Sequence, residues 1–309
     1  MATRRCRFIP LLALLACCCS YASEIDELSV DAVAPGVFVH LGQAAEVDSP
    51  DRGDSANIGF VIGAHCVAII DSGGALATGR ALGQAIAKRT AKPVCYVINT
   101  HVHFDHVLGN AAFEASAPDY VGHHRLADAM AANRDFFAEN FAHELGGESQ
   151  QVKVIGPDTL VEDELELDLG DRRLRLRAVA SAHSTTDLTV LDALTNTLWA
   201  GDLLSRERMP VLDGSLLGWL DWMRHAMQQD YAHVIPGHGP IDHAWPDGAR
   251  AQLRYLEALR DDTRAAVAAG TMLQEAQGSV AAEQRRHWQL TERAHPLNVN
   301  RAYRELEWE

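Results

Sequence analysis

Short apolar runs alternate with stretches of helical spacing along the chain, and this alternation predicts an α/β protein. In the first half, runs bounded by polar or glycine-containing segments predict strands at residues 36–43, 58–64, 66–70, 94–99 and 120–122. Helical spacing predicts helices over residues 75–91 and 125–145, and residues 48–57 read as a polar loop. The run at 94–99 is almost wholly apolar, which is typical of a strand buried on both faces.

The second half of the chain predicts a second sheet. Its strands are expected at residues 165–169, 173–178, 188–192 and 197–200. Arginine and leucine alternate strictly in the second of these, so one face of that strand should be solvated. Two sheets, each flanked by helices, are the simplest assembly. We expect one domain at residues 23–246 and a C-terminal helical extension at 247–309 packed on it, beginning with a long helix at 247–269.

The first residues have the features of an export signal. Arginines within residues 4–7 form a basic region, residues 8–19 are apolar but short for a membrane span, and residues 20–22 form a small-residue cleavage pattern. We therefore expect a signal peptide at residues 1–22 and a periplasmic or secreted protein. An N-terminal anchor and lipidation at Cys17, which ends a lipobox-like segment, are the alternatives. The membrane is an expected partner only if the chain is lipidated.

The charge of the chain limits its partners. The formal net charge is −15 at pH 7, and removal of the basic leader would make it more negative. A chain this acidic is repelled by nucleic acid and by anionic lipid surfaces. We therefore expect a small-molecule substrate and no nucleic-acid partner.

Four of the six cysteines lie in the predicted leader, which leaves Cys66 and Cys95 in the mature chain. Each lies at a similar distance from the end of its own predicted strand, so neighbouring strands in register would bring the two side by side. In an oxidising compartment they can form a disulfide. Two small buried thiols that fill the core are the alternative.

A dense cluster of metal-ligand side chains follows the strand at 94–99. The segment 101–106 contains His101, His103, Asp105 and His106. Neutral imidazole and carboxylate are ligands of zinc and of non-haem iron, so the cluster predicts a metal centre. Three further candidates are each expected just beyond an apolar strand, in a loop that contains glycine or serine: His183, Asp202 and His238.

In order and spacing, these residues resemble the ligand set of the metallo-β-lactamase superfamily. The resemblance implies a four-layer αββα sandwich and a centre of two metal ions, with zinc as the first choice and iron or manganese as alternatives. By this resemblance, the first ion would be held by His101, His103 and His183, the second by Asp105, His106 and His238, with Asp202 bridging them. It also implies that a metal-bridging hydroxide attacks the substrate, and that Asp105 is a catalytic residue that accepts a proton.

Two residues outside the ligand set are candidates for supporting it. Asp71, at the end of the predicted strand 66–70, resembles the family's aspartate that orients a metal-bound imidazole. A turn cap is the simpler role for the same side chain. Asn110 is a candidate for fixing the loop that contains the ligands.

A closer resemblance extends over almost the whole chain. The segments 210–216, 236–240 and 302–309, together with Cys66 and Cys95, resemble the quinoprotein relay system zinc metallohydrolases. This resemblance implies a periplasmic quinoprotein dehydrogenase system as a partner, and hydrolysis of an unidentified substrate.

The residue at position 202 distinguishes the chain from the secreted zinc β-lactamases, which have cysteine or serine at that position. Asp202 resembles instead the bridging aspartate of glyoxalase II. The basic glutathione-binding tail of glyoxalase II is absent from this sequence. β-Lactamase activity stays open because Arg206 or Arg208 can hold a carboxylate, although both also fit an exposed loop. The main hypothesis is an exported hydrolase of a thioester, ester, lactone or amide.

Two alternative functions and the residues that line the cleft stay open. The alternatives to a hydrolase are an iron-dependent redox module and a non-catalytic partner of the dehydrogenase system. Phe104, Trp219 and Trp222 are candidates for lining the cleft, but core or helix packing is the favoured explanation of the two tryptophans.

Overall fold

The computed structural model describes residues 28–147 and 153–309. The predicted signal peptide at 1–22, with Cys17, lies outside the described residues. Within the described part of the chain, no helix is long and apolar enough to cross a membrane.

The first sheet has its strands in chain order. They are β1 (Asp31–Ala34), β2 (Val37–His40), β3 (Ile58–Ile62), β4 (Val67–Ile70), β5 (Val94–Ile98), β6 (Asp119–His123) and β7 (Thr159–Val161). Strands β1 to β4 are antiparallel, and β3 and β4, which match the strands predicted at 58–64 and 66–70, form a hairpin. Strands β4 to β7 are parallel, so their carboxyl ends lie at one edge of the sheet.

The second sheet contains the predicted strands of the second half of the chain and one more. They are β8 (Glu164–Asp168), β9 (Arg173–Ala178), β10 (Leu188–Asp192), β11 (Thr197–Ser205) and β12 (His233–His238). The spatial order is β12-β11-β10-β9-β8, with β11 and β12 parallel and the other pairs antiparallel. In β9, Leu174 and Leu176 are buried while the arginines are exposed, as the alternation predicts.

Nine α-helices lie in the described residues. They are α1 (Leu76–Ala87), α2 (Phe104–Val107), α3 (Leu126–Ala132), α4 (Arg134–Asn140), α5 (Leu216–Ala226), α6 (Arg250–Ala268), α7 (Leu273–Ser279), α8 (Ala282–Arg285) and α9 (Thr291–Leu306). Short 3-10 helices lie at Arg52–Asp54, Asn110–Ser116 and Asp247–Ala249.

Buried apolar side chains define four layers. Between the sheets, Val39, Ile70 and Ile98 of the first pack with Leu176 and Trp199 of the second. On the outer face of the first sheet, α1 packs through Leu82 and Ile86. On the outer face of the second, α5, α6 and α9 pack together. This arrangement is the expected αββα sandwich.

Two predicted elements differ from the structure by more than a shift of their ends. The single helix expected at 125–145 is two short helices, because Asn133 donates its side-chain amide to the carbonyl of Ala129 and ends α3 there. The strand expected at 197–200 continues as β11 to Ser205, past an irregularity in its register with β12 at Gly201, which has φ +53°.

One disulfide and one buried ion pair link strands in or beside the core. Cys66 and Cys95 form a disulfide between β4 and β5, with their Cα atoms 5.8 Å apart. Arg172 is buried and makes two hydrogen bonds to the carboxylate of Asp192, at 2.8 and 2.9 Å. The same guanidinium donates to the carbonyls of Pro35 and Ile62, and therefore joins the two sheets.

The C-terminal helices contact the second sheet's layer directly. Val299 and Ala302 of α9 belong to the same buried cluster as Trp219 of α5 and Val234 of β12. The boundary between residues 246 and 247 stays a prediction.

Candidate metal centre

The seven predicted ligands come together at one edge of the two sheets. His101 follows β5, Asp105 and His106 lie in α2, and His183 lies in the loop between β9 and β10. The sequence predicted Asp202 and His238 in loops. Instead, Asp202 lies within β11 and His238 at the end of β12. The expectation was wrong because β11 continues past Gly201 and pairs there with β12.

The ligand atoms form two groups, and within each group they lie within 4.8 Å of one another. The first metal group is His101, His103, His183 and Asp202, and the second metal group is Asp105, His106 and His238. Asp202 also contacts the second group, with Oδ1 3.1 Å from Nε2 of His106 and Oδ2 3.1 Å from Nε2 of His238. A β-carbon at position 237 would collide with Asp202, so glycine is required there.

In the first metal group, hydrogen bonds direct two lone pairs at each other. His183 donates through Nδ1 to the carbonyl of Val211 at 2.6 Å, and His103 donates through Nε2 to Asp213 at 3.3 Å. The other nitrogen of each neutral ring is then an acceptor. These two acceptors, Nε2 of His183 and Nδ1 of His103, lie 3.0 Å apart. Two acceptors this close repel unless a cation binds both of them.

The second metal group has the same arrangement. His106 donates through Nδ1 to Asp71 at 2.7 Å, and His238 donates through Nδ1 to the carbonyl of Ser55 at 2.8 Å. Their Nε2 atoms therefore point lone pairs at the two oxygens of Asp202. Imidazole nitrogens this close to carboxylate oxygens need either a proton or a metal cation bound to both.

His101 completes the pattern. Its Nδ1 lies 3.0 Å from the hydroxyl of Thr100, and that hydroxyl donates its proton to Asp71 at 2.8 Å. Nδ1 of His101 must therefore donate to the hydroxyl oxygen, so the free lone pair is on Nε2. Nε2 of His101, Nε2 of His106 and Oδ1 of Asp202 are among the buried polar atoms without a hydrogen-bond partner. Such atoms are rare unless an ion or water satisfies them. The residues therefore fit a pair of divalent cations.

The protonation of His101 and His183 agrees with this fit, while the carboxylates around His106 act in the opposite direction. Burial lowers the pKa of His183 to about 3 and the pKa of His101 well below its ordinary value, so both are held in the neutral form that binds a metal. Burial acts in the same direction on His106, but the carboxylates of Asp71 and Asp202 raise its pKa well above the usual value. Burial raises the pKa of Asp202, yet the surrounding imidazoles hold it well below its ordinary range.

Asp71 and Asn110 both contact the ligand segment. Asp71 accepts hydrogen bonds from His106 and from both the backbone amide and the hydroxyl of Thr100. Asn110 donates to Asn99 at 2.7 Å, and Asn99 donates to the backbone carbonyl of His106 at 3.1 Å. Asp71 therefore orients ligand rings, while Asn110 supports the backbone between them.

Four positions that hold the ligands were missed in the sequence: Ser55, Thr100, Val211 and Asp213. Ser55 lies in the predicted polar loop and donates to Asp105 at 2.8 Å, besides accepting from His238. Val211 acts through its backbone carbonyl, for which the sequence has no signal. Thr100 was identifiable in principle, because it directly precedes the ligand segment.

A cavity of about 170 Å³ opens beside the centre. Its lining includes His103, Phe104, Asp105, Asp202, Ser205, Arg208, Met209, Pro210, Val211 and His238. Phe104 therefore lies where the sequence suggested. Trp219 is instead fully buried and donates to the carbonyl of Leu203, and Trp222 packs against the same core, so packing explains both tryptophans.

Of the two arginines considered for binding a carboxylate, Arg208 is the one that lines this cavity. Arg206 donates instead to the carbonyls of Pro240 and Ile241. The Arg208 side chain is 17% exposed, and its Nη1 lies 3.7 Å from Oδ2 of Asp105. The same Nη1 lies 2.9 Å from Nδ1 of His238, and among the described residues no oxygen accepts a hydrogen bond from the guanidinium.

Comparison with known proteins agrees with this geometry. The family model described as "Metallo-beta-lactamase superfamily" matches residues 51–238. No curated protein gives a significant match. Among solved structures, the stereoselective inverting sec-alkylsulfatase Pisa1 from Pseudomonas sp. is similar over 90% of this chain, at 15% identity and a TM-score of 0.67. The chain spans 50% of the length of that protein.

A metallo-β-lactamase from Pontibacter korlensis is similar over 75% of this chain and 99% of its own, at 18% identity and a TM-score of 0.60. The DIM-1 metallo-β-lactamase is similar over 75% of this chain and 97% of its own, at 17% identity and a TM-score of 0.58. Identities this low indicate a shared fold and no shared substrate. The family match spans more than half of the chain and includes every predicted ligand, so the chain belongs to the metallo-β-lactamase superfamily.

Proposed function

We propose that this protein is an exported hydrolase with a binuclear zinc centre, acting on a thioester, ester, lactone or amide. The main support is the convergence of five imidazole lone pairs and two carboxylates beside an open cavity. When bound, two divalent ions supply activation of a water and polarisation of the attacked bond. The ligand set contains nitrogen and oxygen but no thiolate, so iron and manganese are the alternatives to zinc.

Asp105 is the residue we propose for proton transfer. Its carboxylate lines the cavity and accepts a hydrogen bond from Ser55. Burial raises its pKa, but His106, His238 and Arg208 together lower the pKa below the ordinary value. Asp105 therefore stays ionised at neutral pH, so it can accept a proton from the attacking water and return it to the leaving group.

Arg208 supports a substrate that contains an anionic group. Its guanidinium is largely buried in the cavity wall, and its hydrogen-bond donors have no oxygen partner among the described residues. A carboxylate or similar anion of the substrate can accept two hydrogen bonds from such a group. The same feature keeps a β-lactam, which contains a carboxylate, as the second candidate substrate.

The disulfide of Cys66 and Cys95 supports export, because disulfides persist in oxidising compartments. A periplasmic location would place the protein where a quinoprotein dehydrogenase system can be its partner. Lipidation at Cys17 would add attachment to a membrane.

The test combines metal analysis of the purified protein with a panel of thioesters, esters, lactones, amides and β-lactams. We expect two zinc ions per chain and hydrolysis of one substrate class. Bound iron with redox-active spectra and no hydrolysis would overturn the proposal in favour of a redox module. Loss of cellular function in Asp105→Asn and His238→Ala variants that remain folded is expected. Unchanged cellular function in those variants would indicate a non-catalytic partner instead.

Arg208→Gln tests the substrate class separately. For a hydrolysed substrate with an anionic group, we expect about a tenfold or larger rise in KM, since a charge-assisted hydrogen bond is lost. A matched uncharged substrate is the control and should show no change in KM. Equal effects on both substrates would contradict the assignment of Arg208.

A further inference from the structure

The segment 206–215, between β11 and α5, supports the first metal group. We call it the wall segment, because Arg208, Met209, Pro210 and Val211 line the cavity. The same segment supplies the hydrogen-bond acceptors for two ligands: the carbonyl of Val211 for His183, and the carboxylate of Asp213 for His103. The position of the wall segment therefore sets the orientation of two imidazoles of that group.

The C-terminal helix α9 holds the wall segment in place. Asn298 is fully buried, and its side-chain amide donates to the carbonyl of Pro210 at 2.7 Å. Its side-chain oxygen accepts from the backbone amide of Leu212 at 2.8 Å. One side chain thus makes hydrogen bonds to the backbone on both sides of Val211, the residue that orients His183.

Two more residues of α9 contact the end of the wall segment. Glu305 accepts hydrogen bonds from the hydroxyl of Ser215 and from the backbone amide of Leu216, both at 2.7 Å, where α5 begins. Arg301 pairs with Oδ1 of Asp213, while Oδ2 of the same carboxylate faces His103. Asn298, Arg301 and Glu305 are spaced three and four residues apart, so they lie on one face of the helix.

The second metal group depends on a different part of the protein. His106 is oriented by Asp71, which follows β4, and His238 by Ser55, which follows the 3-10 helix at Arg52–Asp54. Ser55 also donates to Asp105. Among the hydrogen bonds described for α9, none is made to Asp71 or to Ser55. The two groups share some contacts: Asp71 also reaches His101 through Thr100, and Arg208 of the wall segment lies 2.9 Å from Nδ1 of His238. The acceptors fixed by Asn298 and Arg301, at Val211 and Asp213, nevertheless serve only His183 and His103 of the first group.

We propose that α9 is a positioning element for the first metal group alone, acting through Arg301 and Asn298 on the wall segment. This inference rests on the binuclear centre of the proposed function. It implies that the C-terminal helix tunes the affinity of one metal ion and leaves the affinity of the other unchanged.

Arg301→Glu is the sharpest test, since it removes the cation that fixes Asp213 and replaces it with a negative charge that repels the carboxylate, so Asp213 loses its fixed position beside His103. Loss of a partner that orients a ligand lowers metal affinity about 10- to 100-fold, and we expect about tenfold here because Arg301 acts through Asp213. The matched control is Arg264→Glu, because Arg264 pairs with Glu309 at the surface, away from the centre. Arg301→Lys keeps the positive charge and should restore most of the affinity.

The measurement is a titration of metal-free protein with Zn²⁺ in competition with a chromophoric chelator, which resolves two dissociation constants. We expect Arg301→Glu to weaken one constant and Arg264→Glu to weaken neither. In a His238→Ala background, where only the first metal group is complete, Arg301→Glu should still weaken the remaining constant. The absorption spectrum of the Co²⁺-loaded first group should also change.

The failures of the two proposals can be told apart. If the unchanged protein does not bind two ions, the proposed function itself is wrong. If it binds two ions and Arg301→Glu binds both with unchanged affinity, the role of α9 is wrong. If Arg301→Glu weakens both constants equally, α9 stabilises the protein generally and the selective role is overturned.

Discussion

Asp71→Asn gives the most informative perturbation of the centre. Asp71 is 2% exposed and accepts three hydrogen bonds at 2.7 to 2.8 Å, one from His106 and two from Thr100. Its backbone has φ +54°, a conformation that asparagine tolerates better than most residues. The substitution therefore changes one oxygen to an amide group and leaves the backbone path intact.

The magnitude follows from the lost acceptor. The new amide group faces a donor, either Nδ1 of His106 or a donor of Thr100, so one buried pair becomes unsatisfied. Losing the outer partner of a ligating imidazole costs about 10- to 100-fold in metal affinity, or about 1.4 to 2.7 kcal/mol. Leaving a buried donor unpaired also lowers the stability of the metal-free protein by about 1 to 3 kcal/mol.

The two metal groups should respond differently. His106 contacts Asp71 directly, whereas His101 contacts it only through the hydroxyl of Thr100. We expect Asp71→Asn to weaken the second metal group more than the first in the Zn²⁺ competition titration. Thr100→Val, which keeps the shape and removes the hydroxyl, should affect the first group more. Equal Zn²⁺ affinities in the unchanged protein and Asp71→Asn would refute this role of Asp71.

Three further predictions concern stability. Removal of metal with a chelator should lower the melting temperature, since an ion at 1,000 times its Kd stabilises the native state by about 4 kcal/mol; no shift after verified removal would contradict the site. Reduction of the Cys66–Cys95 disulfide, which closes a loop of 29 residues, should lower the free energy of unfolding in urea by about 3.6 kcal/mol. The double variant Cys66→Ala, Cys95→Ala is the control, because its stability should not respond to reductant. Asp192→Asn should lower the free energy of unfolding in urea by about 3 to 5 kcal/mol, because it leaves the buried charge of Arg172 unpaired. A loss below about 1 kcal/mol would show that Asp192 is not what compensates the buried charge of Arg172.

The ligand residues could be predicted because their signal is local. Four of them lie within the segment 101–106, and no packing requirement explains so many imidazoles and carboxylates after a buried strand. The others follow or end apolar runs, and parallel strands bring such ends to one edge. The alternation of strands and helices predicted two sheets flanked by helices, and the resemblance to the superfamily implied their αββα arrangement.

The supports of the ligands could not be predicted, because they are contacts between distant parts of the chain. Ser55 and His238 are 183 residues apart in sequence, and His103 and Asp213 are 110 residues apart. The acceptor at Val211 is a backbone carbonyl, which any residue type supplies. The end of α3 was missed for another reason, since the side chain of Asn133 competes with the alanine-rich helical pattern on both sides.

The most direct test of the binuclear centre is the number of metal ions bound per chain, measured by elemental analysis in the unchanged protein and in Asp202→Ala. Asp202 contacts ligands of both groups, so its loss removes the carboxylate between them. The account predicts two tightly bound ions in the unchanged protein and at most one in the folded variant. An unchanged protein that binds fewer than two ions, or a variant that still binds two with the same affinity, would contradict it.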